Sequence, residues 1–281
     1  MSDFPGPDPI AKPEPPKTIL VLIDGVRYDA LYKVNDWVGL PNMWGIINDG
    51  VLWRNVYTFE PYLTNHITQK ILTGHQNYAQ NYTIFQRLDF LGFRTASVGT
   101  NPWDGRGARF NFDNLYDKNH NYLSDDFRFE CARQILPKVD FIYLYTVETD
   151  EYAHVCRDAK KHVYSWQSPY IWSIKRTDDR LGRLRVWLEK TMPGNYNLIC
   201  IADHGMTDNG RHSIATWTTD VVTHVPVFAC GVNFKRGWKI DHRHYVTDLA
   251  HSILNLYDSR VPAHMFNSVI IRPRKESAGA A

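Results

Sequence analysis

No stretch of this chain approaches the roughly 18 uninterrupted apolar residues that a bilayer-spanning helix requires, so the sequence contains no membrane span. An excess of one charge is also missing. The 32 basic residues stand against 30 acidic ones, a net +2, which provides no global field toward a nucleic-acid polymer or an anionic surface. Cysteine is sparse: Cys131, Cys156, Cys200 and Cys230 show no C-x-x-C spacing, and the last two lie in apolar runs, so free buried thiols are expected. Residues 1–17 are proline-rich and lack an apolar core of the kind a signal peptide carries. They read as a disordered or extended leader, 272–281 reads as a disordered tail, and the chain as written is expected to be cytoplasmic.

What is present suits one large α/β domain over 18–271: 281 residues, 43% hydrophobic, with no internal repeat. Five short apolar runs, 18–23, 94–98, 140–145, 197–202 and 226–230, are expected to be buried parallel strands. Segments of helical spacing lie between them. In 170–188, for example, Ile171, Ile174, Leu181, Leu184 and Leu188 recur on one face. Strand–helix alternation predicts a doubly wound, mostly parallel central sheet with helices on both faces. The stretch 100–124, rich in Asn, Asp, Gly and aromatics, reads as a small cap or loop over the site, or as an idle connection.

In such a sheet ligands bind beyond the carboxyl ends of the strands. Hard or borderline metal ligands stand at those ends. Asp24 follows the first run, Asp203 and His204 follow the fourth, and Asp150 and His154 follow the third at the i, i+4 spacing that puts both on one helical face. Thr64 lies just upstream of Ile71-Leu72-Thr73-Gly74, where it reads either as the N-cap of a helix over 65–72 or as a metal-activated nucleophile.

Read together and in order, Ile23-Asp24-Gly25-Val26-Arg27, Thr64-Asn65-His66-Ile67-Thr68-Gln69-Lys70-Ile71-Leu72-Thr73-Gly74, the run Glu148-Thr149-Asp150-Glu151-Tyr152-Ala153-His154 and Asp203-His204-Gly205-Met206 resemble the alkaline phosphatase superfamily, in its type I phosphodiesterase/nucleotide pyrophosphatase branch. Thr64 stands nine residues before Thr73, as that family's nucleophile stands before its Thr-Gly pair. The family's E-P-D-x-x-G-H motif is matched except at Thr149 and Ala153, and 246–253 is similar to its closing helix. The similarity covers roughly 18–269.

The resemblance implies an alkaline phosphatase-like fold and two divalent cations, zinc before manganese because the ligands mix imidazole with carboxylate. Asp24, Thr64, Asp203 and His204 would hold one; Asp150 and His154 would hold the other with a further histidine. His212 is preferred there, in a run similar to one in ethanolamine-phosphate transferases, with His224 the alternative. Asn65 would contact a phosphate oxygen, or serve only as a first-turn polar residue. His66 and His75 read as surface residues; Trp103, Tyr122 and Trp217 are candidates to stack on a base or aryl group. The basic run 157–161 reads as a solvated face or a greeting surface for an anionic substrate.

The implied function is hydrolysis of phosphoric esters, diesters or nucleotide-type substrates, by in-line attack of Thr64 through a phosphothreonine. The partner is a small phosphorylated substrate, not a nucleic-acid polymer, and oligomeric state is left open. Phosphotransfer or phosphomutation, and hydrolysis of monoesters or phosphonates, are the alternatives within the superfamily; a metal-binding protein without turnover is the alternative outside it. A sulfatase would need a modifiable Cys or Ser in C/S-x-P-x-R, where this chain has Thr64-Asn65-His66-Ile67-Thr68.

Overall fold

The computed structural model describes residues 15–79, 81–99, 105–112, 124–212 and 219–270. The tail, most of the leader and most of 100–124 lie outside the described residues, as do Trp103, Tyr122 and Trp217. The strands are β1 (Lys17–Ile23), β2 (Gly50–Tyr57), β3 (Thr95–Val98), β4 (Phe110–Asn111), β5 (Phe141–Thr146), β6 (Tyr196–Ile201), β7 (Val227–Gly231) and β8 (Trp238–Tyr245). They form one sheet in the order β4-β3-β5-β1-β6-β7-β2-β8. The helices are α1 (Ala30–Val38), α2 (Pro41–Asn48), α3 (Thr64–Thr73), α4 (Ile84–Phe90), α5 (Asp125–Ile135), α6 (Glu148–Asp158), α7 (Pro169–Thr191), α8 (Asp220–Thr223) and α9 (Asp248–Tyr257). One group gathers on α7, which meets α1, α2, α5 and α6; a second gathers on α9, which meets α3 and α4. Among the described residues no helix is long and apolar enough to cross a membrane.

The central strands read as unbroken apolar runs because helices cover both faces of the sheet. Every residue of β1, β5 and β6 is buried. β1 begins at Lys17, the last residue of the expected leader, whose ammonium pairs with Asp140 at 3.0 Å. β1 runs parallel to β5 on one side and β6 on the other, with Ile23 opposite Thr146 and Leu22 opposite Ile201. That register brings three carboxyl ends level, and Asp24, Val147 and Ala202 leave them together.

Two expectations about the sheet need correction. The run 226–230 is a strand but not a parallel one: β7 is antiparallel to both β6 and β2. A short apolar run declares burial, not direction; only the path of the chain between strands sets direction. β2 and β8, parallel to each other, were not legible as apolar runs. β2 carries Arg54 and Asn55 in its second half, and β8 is an edge strand in which only Ile240 is buried. All four cysteines are free, with Cys156, Cys200 and Cys230 buried.

Candidate active site

Asp24 is the first residue beyond β1 and is buried. α3 opens on Thr64 itself with Leu63 as its cap residue, one position earlier than expected, so the Thr64 hydroxyl does not cap the helix. It points instead at Asp24, 3.3 and 3.2 Å from the two carboxylate oxygens, and lies 3.3 Å from His204 Nε2. His204 Nε2 also lies 3.5 Å from Asp24 Oδ1 and 3.4 Å from Asp203 Oδ2. The other ring nitrogen of His204 faces the Gly205 carbonyl at 3.1 Å. A carbonyl only accepts, so Nδ1 holds the hydrogen and Nε2 turns a lone pair to the carboxylates.

The second group stands on α6. Its N-terminus is held by Asp125, whose two oxygens accept the amides of Val147 and Glu148 at 3.1 Å each. Glu148 pairs with Arg176 and Arg180 of α7, which fixes the helix sideways. Asp150 and His154 then project together, with His154 Nδ1 3.5 Å from Asp150 Oδ2. His212 Nε2 meets them, 3.4 Å from Asp150 Oδ1 and 3.2 Å from His154 Nε2. Its Nδ1 donates to the Tyr62 carbonyl at 2.6 Å, again leaving Nε2 with the lone pair. His224 is not in this group: its Nε2 lies on the Arg54 carbonyl at 2.5 Å, with its ring stacked on Tyr28 and Tyr57.

The ligand atoms fall into two overlapping sets, Asp150 with His154 and His212, and Asp24 with Asp150 and His204. Asp150 therefore faces both sets, whereas the sequence reading assigned it to one. The imidazoles of His204, His212 and His154 lie nearly parallel in a row, with centroids 4.0 and 5.2 Å apart.

Electrostatics show what the cluster wants. Burial, then the charges of Asp203 and Asp150, raises Asp24 well above the usual carboxylate range. Burial and Asp203 push Asp150 up to about 8, and burial lifts Asp203 to about 6. The imidazoles shift the other way. Burial first, and His212 second, lower His204 far below its ordinary value and bring His154 to about 4; burial lowers His212. Neutral imidazoles beside carboxylates whose ionisation is opposed by burial and by one another form a donor set that a bound cation would draw into its deprotonated form. Among the described residues, the buried oxygens Asp150 Oδ1 and Asp203 Oδ2 have no hydrogen-bond partner. These residues fit divalent cations.

Asn65 is exposed beside Thr64, its Oδ1 accepting the His66 amide at 2.9 Å. His66 and His75 are half-buried, facing Tyr78 and Arg87. The Arg106 guanidinium donates to the Asn81 carbonyl at 2.9 Å.

The sequence profile described as type I phosphodiesterase/nucleotide pyrophosphatase matches residues 95–246, more than half of the chain. The chain belongs to this family. It is thereby placed among hydrolases of phosphoric esters. No curated protein matches it by sequence. Among solved structures it resembles an inactive form of murine ectonucleotide pyrophosphatase/phosphodiesterase 5 in complex with AMP, at 16% identity over 88% of this chain and 96% of that one (TM-score 0.64). It also resembles the phosphonate monoester hydrolase of Silicibacter pomeroyi, at 15% identity over 86% and 73% (TM-score 0.64). An alkaline phosphatase superfamily protein from Vibrio parahaemolyticus gives 16% identity over 86% and 66% (TM-score 0.66). At these identities the likeness is one of fold.

Within the family's motif on α6, one of the two departures has a local consequence. Thr149 replaces proline, and its hydroxyl donates to the Asp24 carbonyl, tying α6 to the end of β1. At position 153 the backbone carbonyl, which does not depend on the replacement of glycine by alanine, is the surface on which Gly210 packs, where a Cβ on Gly210 would collide. Tyr145, which the sequence reading passed over, donates its hydroxyl to Asp24 from the end of β5. The one available signal was its place at a strand's carboxyl end in a sheet of this type.

Gly25 joins the two halves of the site. It has φ +71°, its amide donates to Asp203 Oδ1 at 3.2 Å, and a Cβ there would sit 2.8 Å from Met206 Cε and 3.1 Å from the Asp150 backbone and carboxylate. Gly25→Ala is expected to cost about 1–2 kcal/mol from left-handed backbone alone. It should lower the thermal midpoint by roughly 2–8 °C and the metal content through displacement of Asp150. Wild-type metal content in this variant would show that Asp150 has room to stay.

Proposed function

We propose that this chain hydrolyses phosphoric esters, diesters in preference to monoesters, by attack of the Thr64 hydroxyl on phosphorus. The observation that carries the reading is the Thr64 oxygen set 3.2–3.3 Å from both Asp24 and His204, at the start of a helix and the end of the central strand. Asp24 accepts the hydroxyl's hydrogen bond and orients its lone pair outward. α3 adds first-turn amides and the positive end of its dipole, which favour an anionic phosphate. Asn65, with its Oδ1 already engaged, offers its amide hydrogens to a phosphate oxygen.

In this reading Asp24, Thr64, Asp203 and His204 hold one divalent cation and Asp150, His154 and His212 the other, zinc matching the mixed donors better than manganese. When bound, such cations would supply nucleophile activation and charge stabilisation on the departing oxygen. The Thr64 Oγ1–phosphorus bond forms as the bond to the leaving oxygen breaks, that oxygen taking the bonding pair while the hydroxyl proton passes to Asp24, its hydrogen-bond acceptor. Water then cleaves the phosphothreonine.

The diester preference rests on charge. No arginine follows Thr64 to pair bidentately with a dianion. Arg27, Lys70 and Arg106 are each engaged elsewhere: Arg27 with Asp29 and Asp208, Lys70 with the Glu60 carbonyl, Arg106 with the Asn81 carbonyl. The test is a panel of aryl diesters, aryl monoesters, nucleotides and phosphonates with zinc and with manganese. Higher kcat/KM for diesters is expected, and a monoester preference of about tenfold or more overturns it. Adding acceptor alcohols and finding transphosphorylated product would make the chain a transferase.

A further inference from the structure

The end of α3 opposite Thr64 rests in a cluster of basic groups. Gly74 closes the helix at φ +75°, and the His251 ring of α9 lies so close against it that a Cβ on Gly74 would meet His251 Nδ1 at 2.5 Å. Two further imidazoles join His251 from other parts of the chain, His75 just beyond α3 and His264 in the 3-10 turn His264–Phe266, with ring centroids 5.4 and 5.5 Å from its own. Arg87 of α4 completes the group. Its Nη1 lies 3.3 Å from His251 Nε2 and its Nη2 3.5 Å from His75 Nε2.

A guanidinium only donates, so in both rings Nε2 accepts and the hydrogen sits on Nδ1. On His251 that hydrogen is used in a bond to the Thr247 carbonyl, one turn earlier on α9. Arg87 is half-buried, and among the described residues no carboxylate pairs with it. Asp248 of α9, within the field of His264, is engaged by His244 of β8 at 3.4 Å and by the Tyr245 amide at 3.1 Å. Arg87 is therefore fastened by acceptors that protons can cancel. A proton on His251 Nε2 turns that acceptor into a donor and sets two cations 3.3 Å apart.

We propose that Arg87, His75 and His251 form an acid-released latch, closed at neutral pH and opened when His251 takes up a proton, which ties α4 and α9 to the end of α3 and so steadies the helix that begins at Thr64. Burial first, then Arg87, His264 and His75, hold His251 below the ordinary imidazole value. The folded state thus keeps His251 neutral at a pH where a freed ring is charged. The latch contributes its full stability above the ordinary imidazole value and loses it as the pH falls below. It lies at the far end of α3 from the candidate metal ligands, and it stands whether or not the esterase activity does.

The test is hydrogen exchange of the amides of 70–75 in the wild type and in His251→Gln, at about pH 7.5 and about pH 5.5, corrected for intrinsic rates. Glutamine keeps an oxygen for Arg87 and takes no proton. About one unit below the ordinary imidazole value a freed ring is roughly 90% protonated, so between the two conditions the wild type should lose about tenfold more protection than the variant. A second measurement follows the His251 ring by NMR in the wild type and in Arg87→Gln. With the guanidinium gone, His251 should gain about threefold or more in proton affinity. Equal acid loss of protection in the wild type and His251→Gln overturns the latch. So does a His251 ring that titrates at the same pH with and without Arg87, and that titration decides the matter if the glutamine variant at 251 does not fold.

Discussion

Thr64→Ala should retain the fold and the bound cations and lose about a thousandfold or more in turnover, the scale expected when an acting nucleophile is removed. That loss corresponds to about 4 kcal/mol of transition-state stabilisation. The hydroxyl's contacts are with Asp24 and His204, and the half-buried side chain leaves no large hole when truncated, so little stability is at stake. Thr64→Ser, which keeps the oxygen, should keep part of the activity. Acid quench during turnover should trap labelled phosphate on the wild type and none on Thr64→Ala. Wild-type rates in the alanine variant would remove Thr64 from the chemistry altogether.

His212→Ala should bind one zinc per chain where the wild type binds two, while His224→Ala should bind both. A catalytic zinc site wants three protein ligands and one open position, and Asp150 with His154 supplies two. His212 completes the set geometrically, its free Nε2 held toward Asp150 and His154 by the bond from Nδ1 to Tyr62. His224 faces the Arg54 carbonyl and stacks on Tyr28 at 4.0 Å, so its loss should cost thermal stability rather than metal. Two metals in His212→Ala with one in His224→Ala would reverse the assignment.

Sequence and structure divide the molecule unevenly. The five runs recognised as strands are those with almost every residue buried, because continuous burial leaves a continuous apolar signature. β2 and β8 escaped because polar residues interrupt them, Arg54 and Asn55 at half-buried positions of β2 and Lys239, Asp241 and Arg243 at exposed positions of β8. Thr64 was readable as a candidate from the resemblance carried by its distance to Thr73-Gly74, but the position of its helix was not, since cap and first-turn positions differ by one residue of backbone angle.

The sequence by itself offered the chemistry: carboxylates and imidazoles placed just beyond apolar runs, and a threonine at the start of a helix. It could do so because strand ends and their first turn are local, and local order is written in residue spacing. Only the tertiary structure decided which groups share a space. The parallel register of β1 with β5 and β6 aligns Asp24, Asp150 and Asp203. The turn at Gly210 carries His212 to Asp150 while His224 is held at Arg54. Asp125, Tyr62 and Tyr145 act on the site from 25 to 150 positions away in the chain from Asp150, His212 and Asp24. Such pairings depend on how the chain returns across the sheet, and no spacing along the sequence encodes that return.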